Sequence, residues 1–81
     1  MESDKSKELS KNIIINIRDG EEYIKLGQAM KKAGLVGSGV DAKIIIKDGL
    51  VKVNGEVDIR RGRKLYKDDI FEYDGKSVKV V

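Results

Sequence analysis

The residues whose type and spacing point most directly to a chemistry are Arg60-Arg61-Gly62-Arg63-Lys64. Four cations in five positions, three of them guanidiniums, offer paired N–H donors that match the spacing of phosphate oxygens, so the chemistry is recognition of an anion. The 81-residue chain holds 17 Lys and Arg against 14 Asp and Glu, a net charge of +3; without these four, thirteen basic residues face fourteen acidic ones and the balance is −1. Charge concentrated in this way implies an anionic partner met at one place, and the plainer alternative is a solvated loop. Gly62 either lets an anion approach the backbone closely or serves a turn.

Other chemistries are poorly supplied. With no His and no Cys, the chain lacks the usual general base near neutral pH, the thiolate nucleophile and the commonest transition-metal ligands. Asp68 and Asp69 suggest a metal, but no third hard ligand is recognisable nearby, and they read as a turn before the last hairpin. Neither an enzyme nor a cofactor is expected.

Further polar residues could extend the cationic segment into a surface. Ser38 is placed to cap a helix, and the same helix start would present free N–H groups to a phosphate. Lys43 and Lys47, one helical turn apart, repel each other by roughly a few tenths of a kcal/mol, and either a partner's phosphate or water relieves this. Lys25, Gln28 and Lys32 share a helix face that is solvated or in contact with the partner. Tyr66 either stacks on an unpaired base or, beside Leu65, closes an edge of the core.

The elements that must position these residues follow from periodicity. Residues 1–10 are polar, with Leu9 the only large aliphatic beyond Met1, and are expected to form a mobile tail; residues 11–81 form one domain, the most that such a length supports. Ile13, Ile14, Ile15 and Ile17 mark a strand, and Asp19-Gly20 predicts a hairpin that sets Ile15 opposite Ile24. Leu26, Ala29, Met30 and Ala33 form a helical stripe ended by Gly34. A second helix is predicted over residues 39–48, capped by Ser38 with Asp41 three residues on, and ended by Gly49.

Asn54-Gly55 then predicts a hairpin. A strict two-residue turn would put Val57 and Ile59 on the face opposite Val51 and Val53, so a bulge that unites the four is the preferred register. Asp74-Gly75 closes a last hairpin with Phe71 across from Val78. The fold class is α+β, two short helices packed on a small, mostly antiparallel sheet.

Ser38 to Lys47 followed by Asp48-Gly49-Leu50-Val51-Lys52-Val53-Asn54-Gly55 resembles the helix and strand of the S-four RNA-binding domain, or alpha-L motif. Leu26-Gly27-Gln28, Ser38-Gly39, Ala42-Lys43, Val53-Asn54-Gly55-Glu56 and Arg60-Arg61-Gly62-Arg63-Lys64-Leu65-Tyr66 resemble its stand-alone YaaA/YbcJ-like subfamily over residues 22–81. The resemblance implies an accessory protein that binds structured RNA, typically ribosomal RNA or a ribosomal particle, through the two helices and the following loop. It implies no catalysis, since family members that are enzymes carry their chemistry in another domain. Many S-four domains have Arg directly after the Ser that starts the second helix; Gly39 stands here, which shifts that contact to Lys43 and the 60–64 loop.

The alternatives are a protein-interaction adaptor whose basic loop meets an acidic surface, and a shape-reading DNA binder, although nothing resembles a recognition helix. A sulfur carrier would need a C-terminal Gly-Gly, and the chain ends Lys79-Val80-Val81. No apolar run approaches the roughly 20 residues of a membrane span, and Met1-Glu2-Ser3-Asp4-Lys5 does not read as a signal peptide, so a cytoplasmic location, no membrane partner and no small-molecule substrate are expected.

Overall fold

A computed structural model describes residues 11–81, and the tail expected over residues 1–10 lies outside them. The order of elements is β1 (Lys11–Ile15), β2 (Ile24–Lys25), α1 (Leu26–Lys32), α2 (Gly39–Lys47), β3 (Lys52–Val53), β4 (Glu56–Val57), β5 (Lys64–Leu65), β6 (Ile70–Tyr73) and β7 (Lys76–Val80). Five strands form one sheet in the order β1-β7-β6-β3-β4, and β2 pairs with β5 in a separate two-stranded ribbon.

Both helices form where the apolar spacing predicts them. Leu26, Ala29 and Met30 of α1, together with Ala42 and Ile46 of α2, are fully buried and meet Val53, Phe71, Val78 and Val80 from the sheet. The Ser38 hydroxyl accepts from the Asp41 N–H at 3.2 Å, which satisfies one of the orphan donors at the start of α2. The two helices end alike. Gly34 N–H donates to Lys31 O and Leu35 N–H to Met30 O, and Gly49 N–H donates to Ile46 O and Leu50 N–H to Ile45 O, the paired bonds of a Schellman motif.

The closing hairpin has the predicted register, with Phe71 opposite Val78. The first hairpin does not form. β1 lies parallel to β7, with Ile13 beside Val78 and Ile15 beside Val80, while Ile24 pairs with Leu65. The turn chemistry gives the reason. Asn54-Gly55 and Asp74-Gly75 have positive φ at both residues, the type I′ pattern whose twist matches paired strands. At Asp19-Gly20 only the glycine does, at φ 87°, and Glu21 N–H closes on Arg18 O; this type II pattern turns the chain without continuing a ladder. β1 therefore completes its hydrogen bonds on the far hairpin.

The bulge preferred at Asn54-Gly55 is also absent. Val53 pairs with Glu56 and Lys52 with Val57, a strict two-residue turn. The Asn54 side chain holds the turn by accepting from Ile70 N–H at 3.0 Å and donating to Asp69 at 3.1 Å. Val57 and Ile59 consequently face water at 56% and 60% exposure, and the residue directed inward, with its N–H on Val51 O, is Asp58. An acid can take that position because it is neutralised there.

Candidate nucleic-acid interface

Asp58 is 7% exposed and is the buried charged residue about which the basic loop is organised. Its Oδ1 accepts from the Arg60 backbone N–H at 2.9 Å and from Arg60 Nε at 3.0 Å, while its Oδ2 accepts from Arg60 Nη2 at 2.8 Å and from Arg63 Nη1 at 2.6 Å. The Arg60 guanidinium holds the Asp58 carboxyl well below the usual carboxylate range, with help from the Arg60 N–H and Arg63, against burial that pushes it up. Each guanidinium keeps donors in reserve, since it has five N–H groups and spends one or two here. The Arg60 side chain remains 68% exposed and that of Arg63 30%.

The backbone of the loop is pinned as well. Helix α1 has no side-chain cap; instead Leu26 N–H donates to Arg63 O at 2.8 Å and Gly27 N–H to Arg61 O at 3.0 Å. Loop carbonyls thus satisfy two of the four free donors at the helix start. A Cβ on Gly27 would lie 2.8 Å from Arg61 Cγ, so glycine is what lets the Arg61 side chain cross the helix here. Arg63 N–H donates to Arg60 O, closing a turn in which Gly62 has no positive φ and a Cβ would meet nothing within 4 Å. Among the described residues the Arg61 side chain has no hydrogen-bond or ion-pair partner.

Lys64 leaves the loop as the first residue of β5, directly opposite Lys25. Its Nζ lies 4.8 Å from the centroid of the Tyr23 ring, which in turn is 5.8 Å from that of Tyr66. Leu65 is fully buried and closes the core edge, whereas Tyr66 stays 46% exposed. Gln28 and Lys32 are exposed on α1 and line a groove of about 830 Å³ with Arg18, Tyr23, Lys25 and Lys31. The structure therefore gathers Arg60, Arg61, Gly62, Arg63, Lys64, Tyr66, Gln28 and Lys32 around the α1 end of the molecule. Ser38, Lys43 and Lys47 belong to α2, and no hydrogen bond or ion pair among the described residues ties them to the loop.

Asp58, Tyr23 and Gly27 are the residues that sequence reasoning missed. A signal for Asp58 existed: the strict register of Asn54-Gly55 points it inward, with arginines two and five positions on. Asp68 and Asp69 form the expected turn, in which Asp69 accepts from Tyr66 N–H at 2.7 Å. No group of acidic residues that could hold a metal ion occurs among the described residues.

A strand pair and two helices that present a basic loop define a member of the S4 domain family, and the chain belongs to it: the family's model matches residues 15–81. The chain is 48% identical over 54 residues to a Bacillus subtilis protein named "Probable ribosome maturation protein RlbA", spanning 67% of this chain and 76% of that one. It is 37% identical over 59 residues to the Escherichia coli "Putative RNA-binding protein YbcJ", spanning 73% of this chain and 84% of that one. The resemblance to the stand-alone subfamily and the α+β fold it implies both hold.

Proposed function

We propose that this chain is an RNA-binding accessory protein that grips the backbone of structured RNA, with ribosomal RNA or a pre-ribosomal particle as its target. One observation carries the reading: Arg60, Arg61, Arg63 and Lys64 sit on a loop fastened to Asp58 and to the first two N–H groups of α1. A loop made only for solubility would need no such fastening. Guanidiniums fixed in place lose less entropy on meeting phosphates, and Arg61, with the unspent donors of Arg60 and Arg63, makes those contacts. Lys43 and Lys47 on α2 supply a second, weaker cationic face. The role is binding rather than catalysis, in the cytoplasm; no helix among the described residues is long and apolar enough to cross a membrane. The names of the two relatives support the RNA partner and the ribosomal context.

The test replaces Arg60, Arg61, Arg63 and Lys64 together with Gln and measures binding to a ribosomal RNA hairpin. Affinity should fall at least about tenfold, while Lys76→Gln with Lys79→Gln on the closing hairpin changes it little. Lys43→Gln with Lys47→Gln should give a smaller but measurable loss. Arg60→Gln and Arg63→Gln also strip the buried Asp58 of its neutralising partners, so the loop variant should melt below the parent; if it is folded at the assay temperature and still binds RNA equally well, the site is misassigned. If the parent recovers only protein partners from crosslinked cells, an adaptor role replaces this one.

A further inference from the structure

We infer that the outward face of the β2–β5 ribbon seats one unpaired nucleobase of the bound RNA, stacked on Tyr66 with the tilted Tyr23 ring buttressing it, and with an adjoining phosphate between Lys25 and Lys64. The inference rests on the RNA-binding reading and adds to it a class of target: RNA with an extruded nucleotide rather than a continuous duplex.

The ribbon's register supplies the platform. Ile24 pairs with Leu65 and turns inward, Leu65 being fully buried. Side chains alternate along a strand, so the flanking Tyr23, Lys25, Lys64 and Tyr66 share the opposite face. The two tyrosine rings lie 5.8 Å apart at 56° to each other, and Tyr66 is 46% exposed. These four residues do little for the core. Lys25 directly opposite Lys64 places like charges across the ribbon, an arrangement that destabilises a strand pair. Lys64 is partly compensated by the Tyr23 ring 4.8 Å away; the Lys25 side chain has no hydrogen-bond or ion-pair partner among the described residues. A phosphate placed between the two ammonium groups removes the repulsion.

A solvent-open groove lined by Tyr23, Lys25, Gln28 and Lys32 adjoins this face of the ribbon. Glu21 and Glu22 line it too and would repel a run of phosphates, so the groove suits a single nucleotide rather than a strand. Paired A-form RNA keeps its base faces stacked and offers them to no side chain, which would leave both tyrosines idle against a duplex. An extruded base uses them.

The experiment compares the full chain on two RNA hairpins that differ by one unpaired nucleotide, at the same salt concentration. The bulged hairpin should bind about tenfold tighter, the scale of one base stacked on an aromatic ring. Bromouridine at the bulge should photocrosslink to Tyr23 or Tyr66. Tyr23→Leu with Tyr66→Leu should lower affinity for the bulged RNA to that for the paired one, while Tyr23→Phe with Tyr66→Phe keeps the preference, because stacking needs the ring and not the hydroxyl. Equal affinity of the parent for the two hairpins, a measurement that needs no variant, overturns the inference and leaves the backbone grip standing. A preference that survives the double Leu change does the same. Failure of the parent to bind either hairpin overturns both.

Discussion

Asp58 places a negative charge inside the cationic loop, and charge counting alone makes that a handicap for binding RNA. Its geometry argues the reverse, because four hydrogen bonds from Arg60 and Arg63 converge on its two oxygens. Asp58→Asn should therefore weaken RNA binding even though it raises the net charge by one, and should cost about 1.5–3 kcal/mol of stability, the scale for hydrogen bonds to charged groups. Tighter RNA binding by the variant would show that the carboxylate only opposes the phosphate. The pH dependence has a definite sign. Asp58 is depressed when folded, so its contribution is fully present above the unfolded carboxylate value of about 3.9 and is lost as pH falls toward the folded value. Parallel melts of parent and Asp58→Asn should differ by a constant amount from neutral pH to about pH 5, and the difference should shrink below about pH 4.

Helix α1 and the loop form one mechanical unit, because the helix start is capped by loop carbonyls in place of a side chain. Gly27 is the point of closest approach. In most exposed helix positions Gly→Ala stabilises by up to about 1 kcal/mol, but at Gly27 the added methyl meets Arg61 Cγ at 2.8 Å. Gly27→Ala should thus reverse the usual sign, destabilising by about 1 kcal/mol as the two loop-to-helix hydrogen bonds stretch, and should reduce RNA affinity with it. Gly39→Ala on α2 is the matched control: its methyl meets nothing within 4 Å, so thermal stability should hold or rise. Equal shifts in melting temperature for the two variants would mean that the loop does not bear on the helix.

At the scale of the whole molecule, the parallel β1–β7 pair sets the first and last strands of the described chain side by side along one side of the sheet, while the β3–β4 hairpin that leads into the basic loop forms the other edge. Arg60, Arg61, Arg63 and Lys64, without which the net charge of +3 would be −1, lie together on the loop between β4 and β5 and its first β5 residue. Recognition built on phosphates should show it in bulk. With four to six phosphate contacts at about −0.7 to −0.9 each, log affinity against log salt should fall with a slope of roughly −3 to −5. Fluorescence anisotropy across a salt series measures this, and the loop quadruple variant should lose about one unit of slope for each contact removed. A slope near zero in the parent would rule out a backbone grip.

The sequence by itself determined the local features: both helices with their glycine ends, the Ser38 cap of α2, the Phe71–Val78 register, the place of the basic segment and the absence of His and Cys chemistry. Those features rest on hydrogen bonds and steric preferences that span only a few residues, so the chain announces them directly. Only the tertiary structure decided which strand β1 joins, that β2 and β5 pair across forty residues of chain, that Asp58 rather than Val57 turns inward, and that Tyr23 meets Tyr66. An alternating pattern states which side of a strand is apolar but not which strand lies beside it, and residues at the ribbon become neighbours only when distant segments pair. The buried carboxylate is the sharpest case: periodicity scores it as an error, and it is stable only because the loop that follows folds back two guanidiniums to neutralise it.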